Sequence, residues 1–330
     1  MQKRHNSVEH NLAEHTFNDN TTMSNSVKKN SISQILRKQK YLYMLFLPGA
    51  IYFILFKYIP MFGIVIAFQN YDIFDGFLHS KWVGLKNFTS FFSGPSFWQL
   101  IRNTLLLNIY LIICGFPIPI ILSLLLNEVK NNKYKRFVQT VSYLPHFISS
   151  VVIVGIVSDF LSPSTGPIAH IINSITGNSN ILYMAEPKWF RPIYIITDIW
   201  RSMGWGTIIY LAALSGVDPQ LYDAGFVDGA NRFQRIVHIT IPSIIPTIIV
   251  VLILRMGSIL SVGFETVFLM QNALNTNTSE VISTFVYKRG IVNGNYSFGT
   301  AVDVFNSLIG LIMIITVNKI CSKLTETSLW

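Results

Sequence analysis

Long apolar runs alternate with shorter polar segments along most of this chain. A helix that crosses the hydrocarbon core of a bilayer needs about 20 mostly apolar residues. Six stretches meet that requirement, at residues 41–68, 101–126, 137–161, 193–217, 243–270 and 298–320. The pattern therefore predicts an all-α membrane protein with six transmembrane helices.

The polar segments divide the chain into four parts. Residues 1–40 are rich in Asn, Ser, Thr and His, a composition typical of a largely disordered tail. The first transmembrane helix follows at 41–68, and the other five helices form one domain over residues 98–321. Residues 322–330 are predicted to be a short tail after the last helix.

Lysine and arginine are distributed unevenly among the loops, and this predicts the orientation. Loops that stay in the cytoplasm carry an excess of these residues. In a six-helix arrangement the richer segments all fall on one side, and the opposite loops are longer yet carry fewer basic residues. The basic residues of the richer segments are Lys28, Lys29, Arg37, Lys38, Lys40, Lys130, Lys133, Lys135, Arg136, Arg232, Arg235, Lys319 and Lys323. We therefore expect a multi-pass protein of the cell (cytoplasmic) membrane with both termini in the cytoplasm.

Composition supports the membrane assignment and excludes other classes. The 330 residues are 51% hydrophobic and only 12% charged, and the mean hydropathy is +0.45; soluble domains are roughly 25% charged. The net charge of +9 is not arranged as a basic stripe with interleaved aromatics, so nucleic-acid binding is not indicated. Cys114 and Cys321 are far apart in apolar segments, which predicts neither a disulfide framework nor a metal site.

A patterned polar segment at residues 218–242 separates the fourth and fifth apolar runs. Asp218-Pro219 is typical of a helix start, because Asp caps free N–H groups and Pro suits the first helical position. Asp228-Gly229 is a turn dipeptide, and a second amphipathic stretch follows at 230–239. Pro242 is expected to separate that stretch from the fifth transmembrane helix. The pattern predicts two short helices joined at Gly229 that form a docking surface, the alternative being an amphipathic loop on lipid headgroups.

The spacing of this segment resembles a known motif. It is similar to the EAA motif of permease subunits of binding-protein-dependent ABC importers, E-A-A-x3-G-x9-I-x-L-P. Here Asp223 replaces the first Glu, Gly225 the second Ala and Ile241 the Leu. The blocks WGTIIYLAAL (205–214), LILRMGSILSVGF (252–264) and VISTFVY (281–287) resemble the LplB-type branch of carbohydrate-importer permeases, which are MalF/MalG-like. The resemblance extends from about residue 100 to the C-terminus.

The resemblance implies a fold, a function and partners. It implies the type I ABC importer permease fold with a cytoplasmic EAA coupling helix, and a pathway for an oligosaccharide delivered by an external binding lipoprotein. It implies a second, distinct permease subunit and two cytoplasmic ATPase subunits. The residues assigned by the motif to ATPase coupling are Leu221, Tyr222, Asp223, Ala224, Gly225, Asp228, Gly229, Ile239 and Pro242.

The chain itself is not expected to be an enzyme. It contains no G-x-x-x-x-G-K-[ST] phosphate-binding loop. ATP and Mg²⁺ are therefore expected to be used by the partner ATPase, with no cofactor, catalytic residue or metal ligand on this chain. The alternatives are a permease of the same fold for a non-sugar solute, or a secondary transporter that works alone; the latter predicts internal repeats, and none is convincing.

Ionisable residues within the apolar runs are candidate functional groups. Asp198 and Arg201 lie three residues apart and can pair on one helix face, whereas Arg255 has no obvious acidic partner; these three are interpreted mainly as structural charges. Sugars are recognised by planar polar groups and aromatic faces. The candidate pathway residues chosen on that basis are Trp200, Tyr210, Phe264, Glu265, Asp303 and Asn306. Pro145-His146 is predicted to interrupt the third transmembrane helix, either as a packing kink or as a hinge.

Overall fold

The computed structural model describes residues 40–177, 181–325 and 328–329, and these are mostly helical. The chain divides into two compact units, Met1–Phe62 and Gly63–Trp330. The predicted disordered tail at 1–39 lies outside the described residues. The described part of the first unit consists of α1 (Lys40–Phe53), a π-helical turn (Ile54–Tyr58) and α2 (Ile59–Met61).

The second unit begins with short elements and continues into long helices. A 3-10 segment (Phe62–Phe68) spans the boundary between the units, and two short antiparallel strands follow, in which Gln69 pairs with Trp82 and Asn70 with Lys81. The elements, in chain order, are β1 (Gln69–Asn70), α3 (Gly76–His79), β2 (Lys81–Trp82), α4 (Lys86–Phe92), α5 (Phe97–Tyr110), α6 (Pro117–Glu128), α7 (Asn132–Tyr143), α8 (Ser150–Phe160), α9 (Pro167–Thr176), α10 (Pro187–Ser215), α11 (Pro219–Val227), α12 (Arg232–Arg235), α13 (Ile241–Gly257), α14 (Phe264–Met270), α15 (Thr276–Ser279), α16 (Ile282–Val286) and α17 (Tyr296–Thr325).

Several of these helices are long and apolar enough to cross a membrane. Within the described residues there are four, Lys40–Phe68, Phe97–Glu128, Arg232–Gly257 and Tyr296–Lys323, or five if a bent pair counts as one span. The predicted fourth span corresponds to α10, which runs for 29 residues but carries several charges. The last helix continues to Thr325, so it takes up part of the predicted tail at 322–330.

The third predicted span is bent. Asn132–Phe147 and Ser150–Phe160 meet at 101°, and the break follows a 3-10 turn, Leu144–Phe147, that contains Pro145. Because Pro has no N–H to donate, it disrupts the helical hydrogen-bond ladder. The predicted interruption at Pro145-His146 is confirmed.

The fifth predicted span was wrong in both of its boundaries. The helix starts at Arg232, ends at Gly257, and resumes as α14 only at Phe264. Pro242 does not separate the amphipathic stretch from the span. A π-helical turn at Ile236–Thr240 shifts the hydrogen-bond register just before the proline, and the helix continues through it. Pro242 then occupies the first turn of α13, where a missing N–H is tolerated.

Helix α10 lies at the centre of the helical packing and runs along α6, α7 and α13. Small residues permit this packing. A side chain on Gly204 would collide with the backbone of Ser142 on α7, and one on Gly206 would approach Pro119 of α6 to 3.1 Å. Thr207 Oγ1 also donates to the Pro119 carbonyl at 3.3 Å. Such close helix contacts at small residues are typical of membrane bundles.

The segments before α5, before α10 and before α17 interlock at one end of the second unit, here called the interlocked end. Asn272 and Asn275 both donate to the Met184 carbonyl, at 2.8 and 3.0 Å. Thr278 Oγ1 donates to the Pro187 carbonyl at 2.8 Å, and Ser297 Oγ accepts from Tyr71 N at 2.8 Å. These long-range bonds satisfy backbone groups that loops alone would leave unpaired.

Candidate functional site

The 218–242 segment folds into two helical arms. Asp218 Oδ1 accepts from Gln220 N at 2.9 Å and caps the first arm, α11, which has Pro219 in its first turn. Gly229 adopts φ +76°, a conformation that favours glycine, and it reverses the chain. Asn231 and Gln234 then form a capping box that starts the second arm. The prediction of two helices joined at Gly229 is confirmed.

The two arms pack closely against each other. Gly225 is buried, and a Cβ atom placed on it would lie 2.8 Å from Cδ1 of Ile239 on the other arm. The hydroxyl groups of Tyr222 and Thr240 lie 3.1 Å apart and share a hydrogen bond. The Arg235 guanidinium lies over the Phe226 ring, 5.9 Å from its centroid. These contacts assign Tyr222, Gly225 and Ile239 to the joint between the arms.

The outer surface of the arms is apolar and open. Phe226, Val227 and Phe233 are 72%, 85% and 73% exposed, and Leu221 is about half exposed. Asp223, Ala224 and Asp228 are exposed beside them. The motif residues therefore fall into two groups, of which one braces the arms and the other forms a free surface with a carboxylate on it.

A second polar site, here called the interior polar cluster, joins α10 to the break between α13 and α14. The Tyr194 hydroxyl approaches Gly263, 3.2 Å from the point where a Cβ atom would stand, and Arg201 Nη1 donates to Thr266 Oγ1 at 3.3 Å. Asp198 lies within electrostatic range of both Arg255 and Arg201. A break in a helix at membrane depth frees backbone groups that need polar neighbours, and the Tyr194 hydroxyl is one polar group that lies beside this break.

The predicted direct pair of Asp198 with Arg201 is not formed. Within the described residues the single ion pair closer than 4 Å is that of Lys288 with Glu280, at 3.0 Å. Helical spacing places the two side chains on one face, but the Arg201 guanidinium points to Thr266 of a neighbouring helix. No acidic partner for Arg255 is obvious from the sequence, whereas tertiary packing brings Asp198 near it.

The bend in the third span is held from two sides. Ser150 Oγ donates to Glu265 Oε2 at 2.8 Å. On the other side, the His146 and Trp205 rings stack with centroids 4.6 Å apart and an interplanar angle of 5°. Glu265 and Trp205 remain exposed in the isolated chain. Ser150 and Trp205 were missed as partners of this bend, and His146 was named only for the interruption, because no sequence signal joins positions so far apart.

The other predicted pathway residues differ from one another in their exposure and in their contacts. Asp303 is exposed and Trp200 is just over a third exposed, so both are accessible in the isolated chain. Phe264 stacks on Phe268 at 5.4 Å. Asn306 Oδ1 is buried without a partner among the described residues. Tyr210 is only 2% exposed and offers no free surface to a ligand in this conformation. The six residues therefore differ in accessibility within the isolated chain, and their role in the pathway stays a prediction.

The chain belongs to the binding-protein-dependent transport system inner membrane components. The model of that family matches residues 115–322, well over half of the sequence. The matched region includes both helical arms, the interior polar cluster and the bend of the third span. The protein is thus an inner membrane component of a transport system, in agreement with the several apolar helices of the fold.

Two relatives from Bacillus subtilis (strain 168) are each 47% identical to this chain. One is protein LplB, matched over 89% of this chain and 92% of its own length. The other is the polygalacturonan/rhamnogalacturonan transport system permease protein YteP, matched over 89% of this chain and 91% of its own length. These shares span most of the predicted segments, including the first apolar run.

Two solved structures are also similar. A chain of a bacterial ABC transporter involved in the import of the acidic polysaccharide alginate is 39% identical, with a TM-score of 0.80 over 88% of this chain and 98% of that chain. A chain of a bacterial alginate ABC transporter in complex with an alginate pentasaccharide-bound periplasmic protein is also 39% identical, with a TM-score of 0.81 over 90% of this chain and 99% of that chain. The fold is therefore that of an ABC importer permease.

Proposed function

We propose that this chain is a permease subunit of an ATP-driven importer for oligosaccharides, and that it forms part of their pathway through the membrane. The observation that carries the proposal is the pair of braced arms at residues 218–242, set within the sequence of a transport-system membrane component. The carbohydrate substrate is supported by the polygalacturonan/rhamnogalacturonan permease at 47% identity and by the alginate importers at 39%.

The exposed side of the arms is proposed as the docking surface for a separate cytoplasmic ATPase, which supplies ATP and Mg²⁺. The surface has large apolar side chains that no described residue covers, namely Phe226, Val227 and Phe233, and clustered exposed apolar residues are typical of protein interfaces. Asp223 contributes a charge at its edge. Because Gly225 and Tyr222 tie the arms together, a push on one arm is expected to move the start of the following helix.

The remaining partners follow from the same proposal. A second, distinct permease subunit is expected to cover the accessible polar groups Glu265 and Asp303, because carboxylates inside a membrane face a partner or an aqueous path. A binding lipoprotein on the outer side is expected to deliver the oligosaccharide at the interlocked end. Both termini are expected in the cytoplasm, from the distribution of lysine and arginine.

The docking proposal is tested by charge reversal at Asp223. The tagged complex is purified in mild detergent and reconstituted, and ATP hydrolysis and oligosaccharide uptake are measured together. Asp223→Arg is expected to reduce uptake per ATP hydrolysed at least tenfold. Asp223→Glu is the control, because it keeps a carboxylate at the same exposed position and is expected to retain coupled uptake. Wild-type coupling in Asp223→Arg, or a complex that never contains an ATPase, contradicts the proposal.

A further inference from the structure

A cleft opens at the interlocked end, between the first turns of α5 and the short helix α15. Its volume is about 390 Å³, and it is lined by Trp98, Gln99, Arg102 and Asn277. Pockets for small molecules commonly measure about 300–1,000 Å³. The cleft is separate from the candidate pathway residues named above.

One guanidinium group lines the cleft, and a second lies close to it outside the lining. Arg102 is exposed, and no hydrogen bond or ion pair joins it to another described residue. Arg191 lies close enough to Arg102 for the two charges to repel each other, and its Nε atom is buried without a partner among the described residues. The carboxylate of nearby Glu280 is already bound to Lys288 at 3.0 Å. In the part of the chain that the structure describes, no carboxylate forms an ion pair with either arginine.

The walls of the cleft are held in place by one buried side chain. Asn103 is 0% exposed. Its Nδ2 donates to the carbonyls of Asn277 and Glu280, at 2.9 and 3.0 Å. Its Oδ1 accepts from Arg191 Nη2 at 3.0 Å. One residue thus sets the position of both the opposite wall and the second guanidinium, so the charges form a built site and not a chance pair of surface side chains.

An aromatic surface stands beside the charge. Trp98 is 76% exposed and lies four residues before Arg102, so both project from one face of α5. A flat indole face packs against the C–H face of a sugar ring, while a guanidinium binds a carboxylate through two parallel hydrogen bonds. Together, the open indole of Trp98 and the unpaired guanidinium of Arg102 match a sugar that carries a carboxylate.

We propose that this cleft is an entry site that binds a uronate unit of the arriving oligosaccharide, with its carboxylate at Arg102 and its ring on Trp98, while the nearby charge of Arg191 adds to the attraction. The inference rests on the proposed function and narrows the substrate class to acidic oligosaccharides. Asn103 is assigned as a positioning residue, because it reaches the ligand only through Arg191 and the opposite wall. The phosphate of an anionic lipid has related chemistry and is the competing source of a ligand.

The test uses the full transporter complex in nanodiscs of phosphatidylcholine, with trigalacturonate and its fully methyl-esterified form as probes. The two probes differ in carboxylate charge and share the sugar backbone. Arg102→Gln is expected to weaken trigalacturonate binding at least tenfold and to leave the ester within twofold of the wild type. Lys86→Gln is the matched control, because it removes one exposed positive charge from another helix, α4; it is expected to change neither affinity more than twofold.

Two further variants test the contributions of the aromatic surface and of the guanidinium shape. Trp98→Leu is expected to weaken both probes, because the stacking surface does not depend on charge, whereas Arg102→Lys is expected to recover only part of the affinity. Equal trigalacturonate affinity in the wild type and in Arg102→Gln overturns the proposal. So does a lipid outcome, measured by native mass spectrometry on a second set of nanodiscs that also contain phosphatidylglycerol, in which Arg102→Gln loses the bound phosphatidylglycerol but keeps trigalacturonate. ATPase content, measured on the same samples, tests the proposed function separately.

Discussion

A Cβ atom on Gly225 would lie 2.8 Å from Cδ1 of Ile239, so the two arms of the 218–242 segment touch where the chain has no side chain. The contact is with the far end of a flexible side chain, which can rotate away from a small intruder. It cannot make room for a large one, because Arg235 Cγ lies 3.5 Å from the same point. The joint between the arms is therefore size-limited.

The effect of a substitution at Gly225 is expected to depend on the size of the new side chain. Gly225→Ala should retain coupled transport, since Ile239 can shift by a few tenths of an ångström. Gly225→Leu should force the arms apart at a cost of about 1–3 kcal/mol and reduce uptake per ATP hydrolysed at least fivefold. Uptake and ATP hydrolysis in proteoliposomes measure this. Equal coupling in the alanine and leucine variants would show that the arms need not touch.

The bond between Ser150 and Glu265 is expected to hold the bent third span in position. Hydrogen bonds to charged groups contribute about 1.5–3 kcal/mol. Ser150→Ala and Glu265→Ala should each lower substrate-dependent uptake several-fold without loss of assembly, and the double variant should be no worse than either single one. Glu265→Gln keeps an acceptor oxygen and serves as the control. Additive losses in the double variant would mean that the two residues act independently.

Removal of Arg255 is expected to leave Asp198 with one of its two positive neighbours. A carboxylate that loses a partner inside the protein costs about 1–3 kcal/mol, so Arg255→Leu should lower the Tm of the purified complex. Arg255→Lys keeps the charge and should restore most of the stability. Addition of Asp198→Asn to Arg255→Leu should recover part of the loss, because the unpaired charge is gone; a double variant that is less stable than Arg255→Leu contradicts this account.

Gly204 and Gly155 form a matched pair for testing close helix packing. A side chain on Gly204 would collide with the backbone of Ser142, whereas nothing lies within 4 Å of a Cβ on Gly155. Gly204→Val should destabilise the complex by at least about 1–3 kcal/mol and lower its yield in size-exclusion chromatography. Gly155→Val should assemble as the wild type does. Equal yields for both variants would rule out the close approach of α10 to α7.

Local pattern was sufficient to predict the arms, but it was insufficient to place the fifth span. The caps at Asp218 and Asn231 and the turn at Gly229 depend on neighbours within a few residues, which is why the sequence predicts them. The fifth span was drawn wrongly because apolar composition continues through residues 258–263, where the backbone is not helical. Hydropathy reports whether a residue tolerates lipid, and it does not report whether the backbone there has a helical hydrogen bond.

By itself, the sequence determined the class of protein, the presence of apolar helices and the paired arms, since these follow from composition, caps and spacing along the chain. Only the tertiary structure decided which charges meet. It directed Arg201 to Thr266, brought Arg255 near Asp198, joined Ser150 to Glu265 and used Asn103 to set Arg191 beside Arg102. The partners in these contacts lie on different helices and are separated by 57 to 115 residues along the chain. Spacing along one helix fixes which face a side chain occupies, but the packing of helices decides what that face meets.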